Sequence, residues 1–188
     1  MQSQLNGINV ADLTQFVEQV RSDPHAGLAQ FDVETTWHGG TRTQAKVCDS
    51  KIGSAQIARP FLIDADEPEE LLGKNTAPNP QELLLAALNA CMSVGYVANA
   101  AAMGIEINAL KIRSYGTLDL RGFLGLDENV NLGYDAIQYV VDIASSAPKE
   151  KLEKLHAIVQ KTSPNFHNMA RTIAMRAVLN ISQPQELN

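Results

Sequence analysis

Between Glu82 and Glu106 the chain carries no charged side chain, reading LLLAALNACMSVGYVANAAAMGI. As a helix rising about 1.5 Å per residue, this run extends roughly 35 Å, enough to cross a bilayer. Its content argues against that. Asn89, Ser93 and Asn99 interrupt it, small Ala and Gly outnumber Leu, Ile and Phe, and the flanks lack the Lys/Arg and Trp/Tyr belts of a membrane anchor. The expectation is no membrane, and a soluble central helix covered on all sides, because a helix apolar all round must be buried. Its small residues let neighbours approach closely, and two copies of a modest domain cover such a helix more readily than one. Asn79 as cap, Pro80 in the first turn and Glu82 at the capping-box position mark its start; Gly104 marks its stop.

With 188 residues and 45% hydrophobic content, the chain can bury the core of one main domain. A net charge of -6 without a compensating Lys/Arg cluster argues against a nucleic-acid partner. The N-terminal MQSQLNGINVADL has no basic and then apolar segment, so a cytoplasmic protein is expected. Two cysteines without CxxC or His pairing predict neither a disulfide framework nor a zinc site, and no metal or cofactor is expected. The DADEPEE run lacks the ligand order of a calcium loop and reads as a solvated acidic loop.

Leu13, Phe16, Val17 and Val20 predict an amphipathic helix over 10–21, broken by Pro24 and Gly27. FDVETTWHGGTRTQAKVCDSKIG reads as two strands around a Gly-Gly turn, and IARPFLIDADEPEELLGKNTAPNP as a short strand and a long loop. After the uncharged helix come two strands, within 105–120 and 134–145, the second with Ile137, Tyr139, Val141 and Ile143 on one face. RGFLGLDENVNLG between them is a turn-rich connection. Pro148 opens a helix with Leu152, Leu155, Ile158 and Val159 as its stripe, which Pro164 closes, and Ile173, Met175, Ala177, Leu179 and Ile181 alternate as a terminal strand. Strands grouped around two helices give an α+β class.

Cys91 is the one lead to chemistry inside the long helix. A thiol there is by default a small hydrophobe. To react it must be a thiolate, and it lies about three turns in, beyond the reach of the helix dipole. A cation must come from elsewhere: Arg42, Arg59, Arg121 and Arg171 are the candidates. His167, after a Ser-Pro turn, and His38, beside Trp37, read as ordinary surface or capping residues rather than bases for the thiol.

The stretches TAPNPQELLLAALNAC, VGYVANAAAMGIEI, RGFLGLD and KTSPNFHN together resemble the OsmC/Ohr superfamily, in a branch with the RGFLGLD insertion. The resemblance covers roughly residues 31–181, dividing the chain into a helical extension, 1–30, and an OsmC-like domain, 31–188. It implies an intertwined homodimer with antiparallel sheets around two long central helices and reactive sites at the subunit interface. It also implies reduction of organic hydroperoxides, in which a first cysteine attacks the peroxide, becomes a sulfenic acid and is resolved by a second cysteine. Cys91 matches the first cysteine. Ser163-Pro164 stands where the second is found, which excludes that internal disulfide. Gln81 stands where the family has a glutamate ten positions before the cysteine, with Glu82 adjacent as a stand-in or simply a cap, and Arg42 corresponds to the family's early-loop arginine. Cys48, in the early hairpin, reads as an ordinary strand residue. Three functions stay open: a one-cysteine peroxidase using Cys91 and an external thiol reductant, a binder of small hydrophobic ligands, or a structural stress-related dimer.

Overall fold

The computed structural model describes residues 4–181, and all strand pairings among them are antiparallel. A small hairpin, β1 (Gln4–Leu5) and β2 (Ile8–Asn9), turns at Asn6 and leads into α1 (Val10–Ser22). Asn9 caps α1 by accepting from the amides of Ala11 and Asp12, satisfying two of the donors a helix start leaves free. Asn6 fastens this segment to the far end of the uncharged run: its Nδ2 donates to the Ile105 carbonyl and its Oδ1 accepts from the Ile107 amide, each at 2.8 Å.

Strands β3 (Ala29–Gln30), β4 (Val33–Trp37), β5 (Thr43–Val47), β6 (Ser50–Ile52), β7 (Ala55–Ile57) and β8 (Leu62–Ala65) make two three-stranded sheets, ordered β3-β6-β7 and β4-β5-β8. The expected single hairpin is therefore two. The chain turns once at Gly39–Gly40, between β4 and β5, and again at Gly53, between β6 and β7.

The loop after β8 is built on a carboxylate rather than merely solvated. Asp66 is 1% exposed and accepts five hydrogen bonds, from the Thr41 and Thr76 hydroxyls and the Glu67, Lys74 and Thr76 amides, at 2.6 to 3.2 Å. Those bonds, led by the Thr41 hydroxyl, hold its carboxyl well below the usual carboxylate range. Glu69 and Glu70 are exposed as expected. Gly73 lets the loop close, since a Cβ there would meet the Glu67 carbonyl oxygen at 1.8 Å. Through Thr41, the loop also holds the β4–β5 turn.

The uncharged run forms α2 (Pro80–Ala102), with the Asn79–Glu82 capping box complete and Gly104, at φ 67°, following its end. β9 (Ala109–Tyr115) and β10 (Gln138–Ala144) pair directly across one another, joined by a connection containing the short helix α3 (Leu120–Phe123). Then follow α4 (Lys149–Thr162) and α5 (Pro164–Ala170). Pro164 ends α4, as expected, and also starts α5, since a residue without an N–H fits a first helical turn. The core is the α2 stripe Leu88, Met92, Tyr96 and Ala100, set against Leu155 and Val159 of α4, with Ile105 beyond. Leu110 and Ile112 of β9 and Tyr139, Val141 and Ile143 of β10 pack on it from the hairpin.

A single chain leaves part of α2 open: Val94 is 69% exposed, and Ala86, Ala87 and Ala90 are also exposed, because α4, α5 and the β9–β10 hairpin reach only part of its circumference. One expectation needs correction. Residues 172–181 form no strand, because among the described residues no strand pairs with them. Met175, Val178, Leu179 and Ile181 are 82% to 90% exposed.

Asp66 makes acid stability testable. A carboxyl depressed in the folded state contributes stability above the unfolded value of about 3.9, and that contribution is lost as pH falls toward the folded value. Asp66→Asn is expected to lower the melting temperature at neutral pH, with the gap to wild type closing as pH falls below about 4. Thermal melts of both proteins between pH 2 and 8 check this.

Candidate active site

Gln81, Leu84, Leu88, Cys91 and Gly95 follow one another at spacings of three and four along α2. At about 100° per residue they fall within a sector of roughly 80° on one side of the helix. At Gly95 α4 comes close, since a Cβ there would lie 3.3 Å from Val159 Cγ1. Cys91, one turn earlier, is half-buried, and its Sγ lies 3.4 Å from Ser163 Oγ. Ser163 sits at the break between α4 and α5 and is 3% exposed. Its amide donates to the Val159 carbonyl at 2.9 Å, and its Oγ caps α5 by accepting from the Phe166 amide at 3.4 Å. Asn165 Nδ2 donates to the Ala87 carbonyl at 2.9 Å, tying the same corner to α2 one turn before Cys91. Thr-Ser-Pro thus produces the break and supplies the cap.

A groove of about 620 Å³ runs beside this stripe. Gln81, Leu84 and Leu88 form its α2 wall, and Ile137, Tyr139, Phe166 and Met169 supply further apolar lining. Phe166 meets Tyr139 edge to face, with ring centroids 6.2 Å apart. Behind the groove lie two part-buried polar pairs: Tyr96 and His156 join hydroxyl to Nδ1, and Gln160 Nε2 donates to the Tyr139 hydroxyl. Burial, with Tyr139 adding a smaller charge effect, pushes the Tyr96 phenol up to about 12.

Among the described residues, none of the remaining sequence-predicted residues hydrogen-bonds the thiol. Gln81 is exposed at the groove mouth, ten residues and so about 15 Å along the helix axis from Cys91. The Glu82 carboxylate is occupied as a cap, accepting from the Asn79 amide at 2.9 Å while Asn79 Oδ1 accepts from the Glu82 amide at 2.8 Å. Arg42, exposed beside the Gly-Gly turn, borders a small polar cavity with His38, Asp64 and Thr76. Arg59 stacks over Phe61, 4.7 Å from the ring centroid. Arg121 is bound to Asp119, whose hydrogen bonds raise the guanidinium's pKa, and reaches Asp127 at 3.6 Å. Arg171 is exposed. Among the described residues no arginine donates to Cys91 Sγ. His167 Nε2 pairs with the Lys161 carbonyl at 2.8 Å, which serves the α4 terminus and not the thiol. Cys48 is a second free thiol at the end of β5.

Leu84, Leu88, Tyr139, Phe166 and Met169 form the groove without having been singled out in sequence as site residues. The signal for the first two was present, as a three-four spacing shared with Gln81 and Cys91. The others come from β10 and α5, and nothing local to them points to a groove.

Two measurements check these environments. In an ultraviolet titration of the four tyrosines, one is expected to ionise about two pH units above the ordinary value of about 10, and Tyr96→Phe should remove that late step. Asn79→Ala, which opens the capping box, is expected to cost about 1 kcal/mol of unfolding free energy in denaturant titrations.

A family model described as OsmC-like protein matches residues 73–177. Among solved structures, the chain is similar to an OsmC-like protein from Mycoplasma pneumoniae, at 19% identity and a TM-score of 0.60, covering 75% of this chain and 87% of the other. It is likewise similar to an OsmC-like protein of unknown function from Vibrio cholerae, at 14% identity and a TM-score of 0.55, covering 74% and 93%. At these identities the likeness is one of fold. Among curated proteins, none matches the chain in sequence.

Proposed function

The chain belongs to the OsmC-like protein family, and from that premise we propose that it reduces small apolar organic hydroperoxides through Cys91, with an external thiol as reductant. The observation that carries this reading is the placement of Cys91 one helical turn beyond Leu88, the last α2 residue that lines the groove, with a hydroxyl and not a second thiol at 3.4 Å. The Cys91 thiolate attacks one peroxide oxygen: an S–O bond forms, the O–O bond breaks, and the alkoxide leaves as an alcohol after taking a proton. The resulting sulfenic acid condenses with an external thiol, releasing water and leaving a mixed disulfide. A second external thiol then displaces Cys91 and carries off the disulfide. Both electrons come from the two external thiols.

The groove favours a carbon-bearing peroxide over hydrogen peroxide. Burying about 100 Å² of substrate apolar surface stabilises binding by about 2.5 kcal/mol, or roughly 70-fold. Gln81 offers hydrogen bonds at the groove mouth without adding charge. The reading further takes the working unit as a homodimer, in which a second copy covers the open face of α2 and pairs with residues 172–181. Exposed Val94, Met175, Leu179 and Ile181 support it. In that unit Arg42, delivered by the second copy, is the cation for the thiolate, and Glu82 keeps its capping role.

A second reading is favoured by the groove alone. At about 620 Å³ and with largely apolar walls, it suits a small hydrophobic ligand with Cys91 as an unreactive neighbour.

Cys91→Ser separates the two. The wild-type protein is expected to consume an aryl hydroperoxide in the presence of a dithiol and to give a sulfenic-acid adduct with a dimedone-type trap, and the variant to do neither. Its kcat/KM for the aryl hydroperoxide should exceed that for hydrogen peroxide by about tenfold or more. Undiminished turnover in Cys91→Ser would remove Cys91 from the reaction, and the lack of any turnover in wild type alongside saturable binding of an apolar probe would favour the binding reading.

A further inference from the structure

Ser163 is buried, conformationally fixed and in contact with the Cys91 sulfur, and its hydrogen-bonding capacity can be accounted for atom by atom. A serine hydroxyl has one proton to donate and lone pairs to accept with. The α5 cap uses it as an acceptor, since the Phe166 amide can only donate. The hydroxyl proton therefore remains, and among the described residues the acceptor in contact with Ser163 Oγ is Cys91 Sγ, at 3.4 Å. When the sulfur is a thiol, either group can donate to the other. A thiolate can only accept, so ionisation of Cys91 turns this contact into a charge-assisted hydrogen bond. A donor that binds the charged form more strongly than the neutral one favours ionisation.

We infer that Ser163 is a positioning residue for Cys91, donating its hydroxyl proton to the sulfur whenever Cys91 is ionised. This deepens the peroxidase reading and rests on it for biological meaning, because it names what serves the thiolate where no second cysteine stands. The same bond orients the sulfur: Ser163 is fixed by its own amide on Val159 and by the Asn165–Ala87 tie, so the Cys91 side chain is directed at the corner between α4 and α5. The hydroxyl cannot form a disulfide, so the sulfenic acid made at Cys91 waits for a thiol from solution.

Other titratable groups on the packed elements are engaged elsewhere or face away. His156 of α4 is bonded to the Tyr96 hydroxyl and His167 of α5 to the Lys161 carbonyl. The charged α4 residues Lys149, Glu150, Lys151, Glu153, Lys154 and Lys161 are exposed. The half-buried β9 residues Leu110, Ile112 and Ser114 carry no charge, while Lys111, Arg113 and Tyr115 alternate to the exposed side. On α1, Asp12, Glu18 and Arg21 are exposed, and β2 carries none.

The test is the pH dependence of Cys91 alkylation by iodoacetamide, measured on the full chain in a Cys48→Ser background so that one thiol is read. Ser163→Gly and Ser163→Ala both remove the hydroxyl, and glycine is the better tolerated at a helix cap. Both are expected to move the midpoint of the rate profile upward by about half to one pH unit, and to lower the alkylation rate below that midpoint about three- to tenfold. A mere loss of the α5 cap would lower the melting temperature without moving the midpoint. An unmoved midpoint in folded Ser163→Gly overturns the inference, even if Ser163→Ala fails to fold. The readout involves no peroxide, so failure of the peroxidase reading would leave it intact, and its own failure would leave peroxide turnover to be judged separately.

Discussion

The close approach of α4 to α2 at Gly95 is the contact on which the rest of the structure depends. Without a side chain at that point, Val159 can sit against the α2 backbone, and Leu155 and Val159 can bury Leu88, Met92 and Tyr96. Each of those buried side chains contributes on the order of 2 to 3 kcal/mol by leaving water, far more than any surface ion pair in the chain. Once α4 is pinned there, its end falls where it does. The Ser163-Pro164 break and α5 then land beside Cys91. The position of the thiol's neighbour is thus a consequence of helix packing.

Two kinds of polar order support that framework in different ways. Asp66 is a structural charge: four of its five hydrogen bonds come from its own loop and the fifth from Thr41, and the result is a fixed β4–β5 turn. Ser163 is poised at a reactive group, with one half of its capacity used by the cap and the other half directed at sulfur. The Tyr96–His156 pair belongs with the first kind, a buried polar contact that the surrounding core over-determines.

Much of the fold was legible because its signals are local. Asn79, Pro80 and Glu82 give the start of α2 in the order that satisfies free amides, and the alternation Ile137, Tyr139, Val141, Ile143 gives the inward face of β10. The terminal strand was misread for the opposite reason. Its alternation is real, but a strand exists only where another strand offers donors and acceptors, and residues 172–181 have none among the described residues. The acidic run was half misread, because composition does not reveal that one carboxylate of several will be enclosed by backbone amides. RGFLGLD was expected as a connection, and its Arg121 proved to be held by Asp119 rather than available to the thiol.

By itself, the sequence determined the long uncharged helix with its thiol, the α+β order of elements, and the resemblance that leads to the OsmC-like family, because caps, periodicity and short motifs are properties of neighbours in the chain. Only the tertiary structure decided what Cys91 touches. Its contact with Ser163 spans 72 residues, the groove draws its walls from α2, α5 and the approach to β10, and among the described residues no arginine donates to the sulfur. Such contacts are set by which faces bury against each other, and that choice is made by the packing of the whole chain.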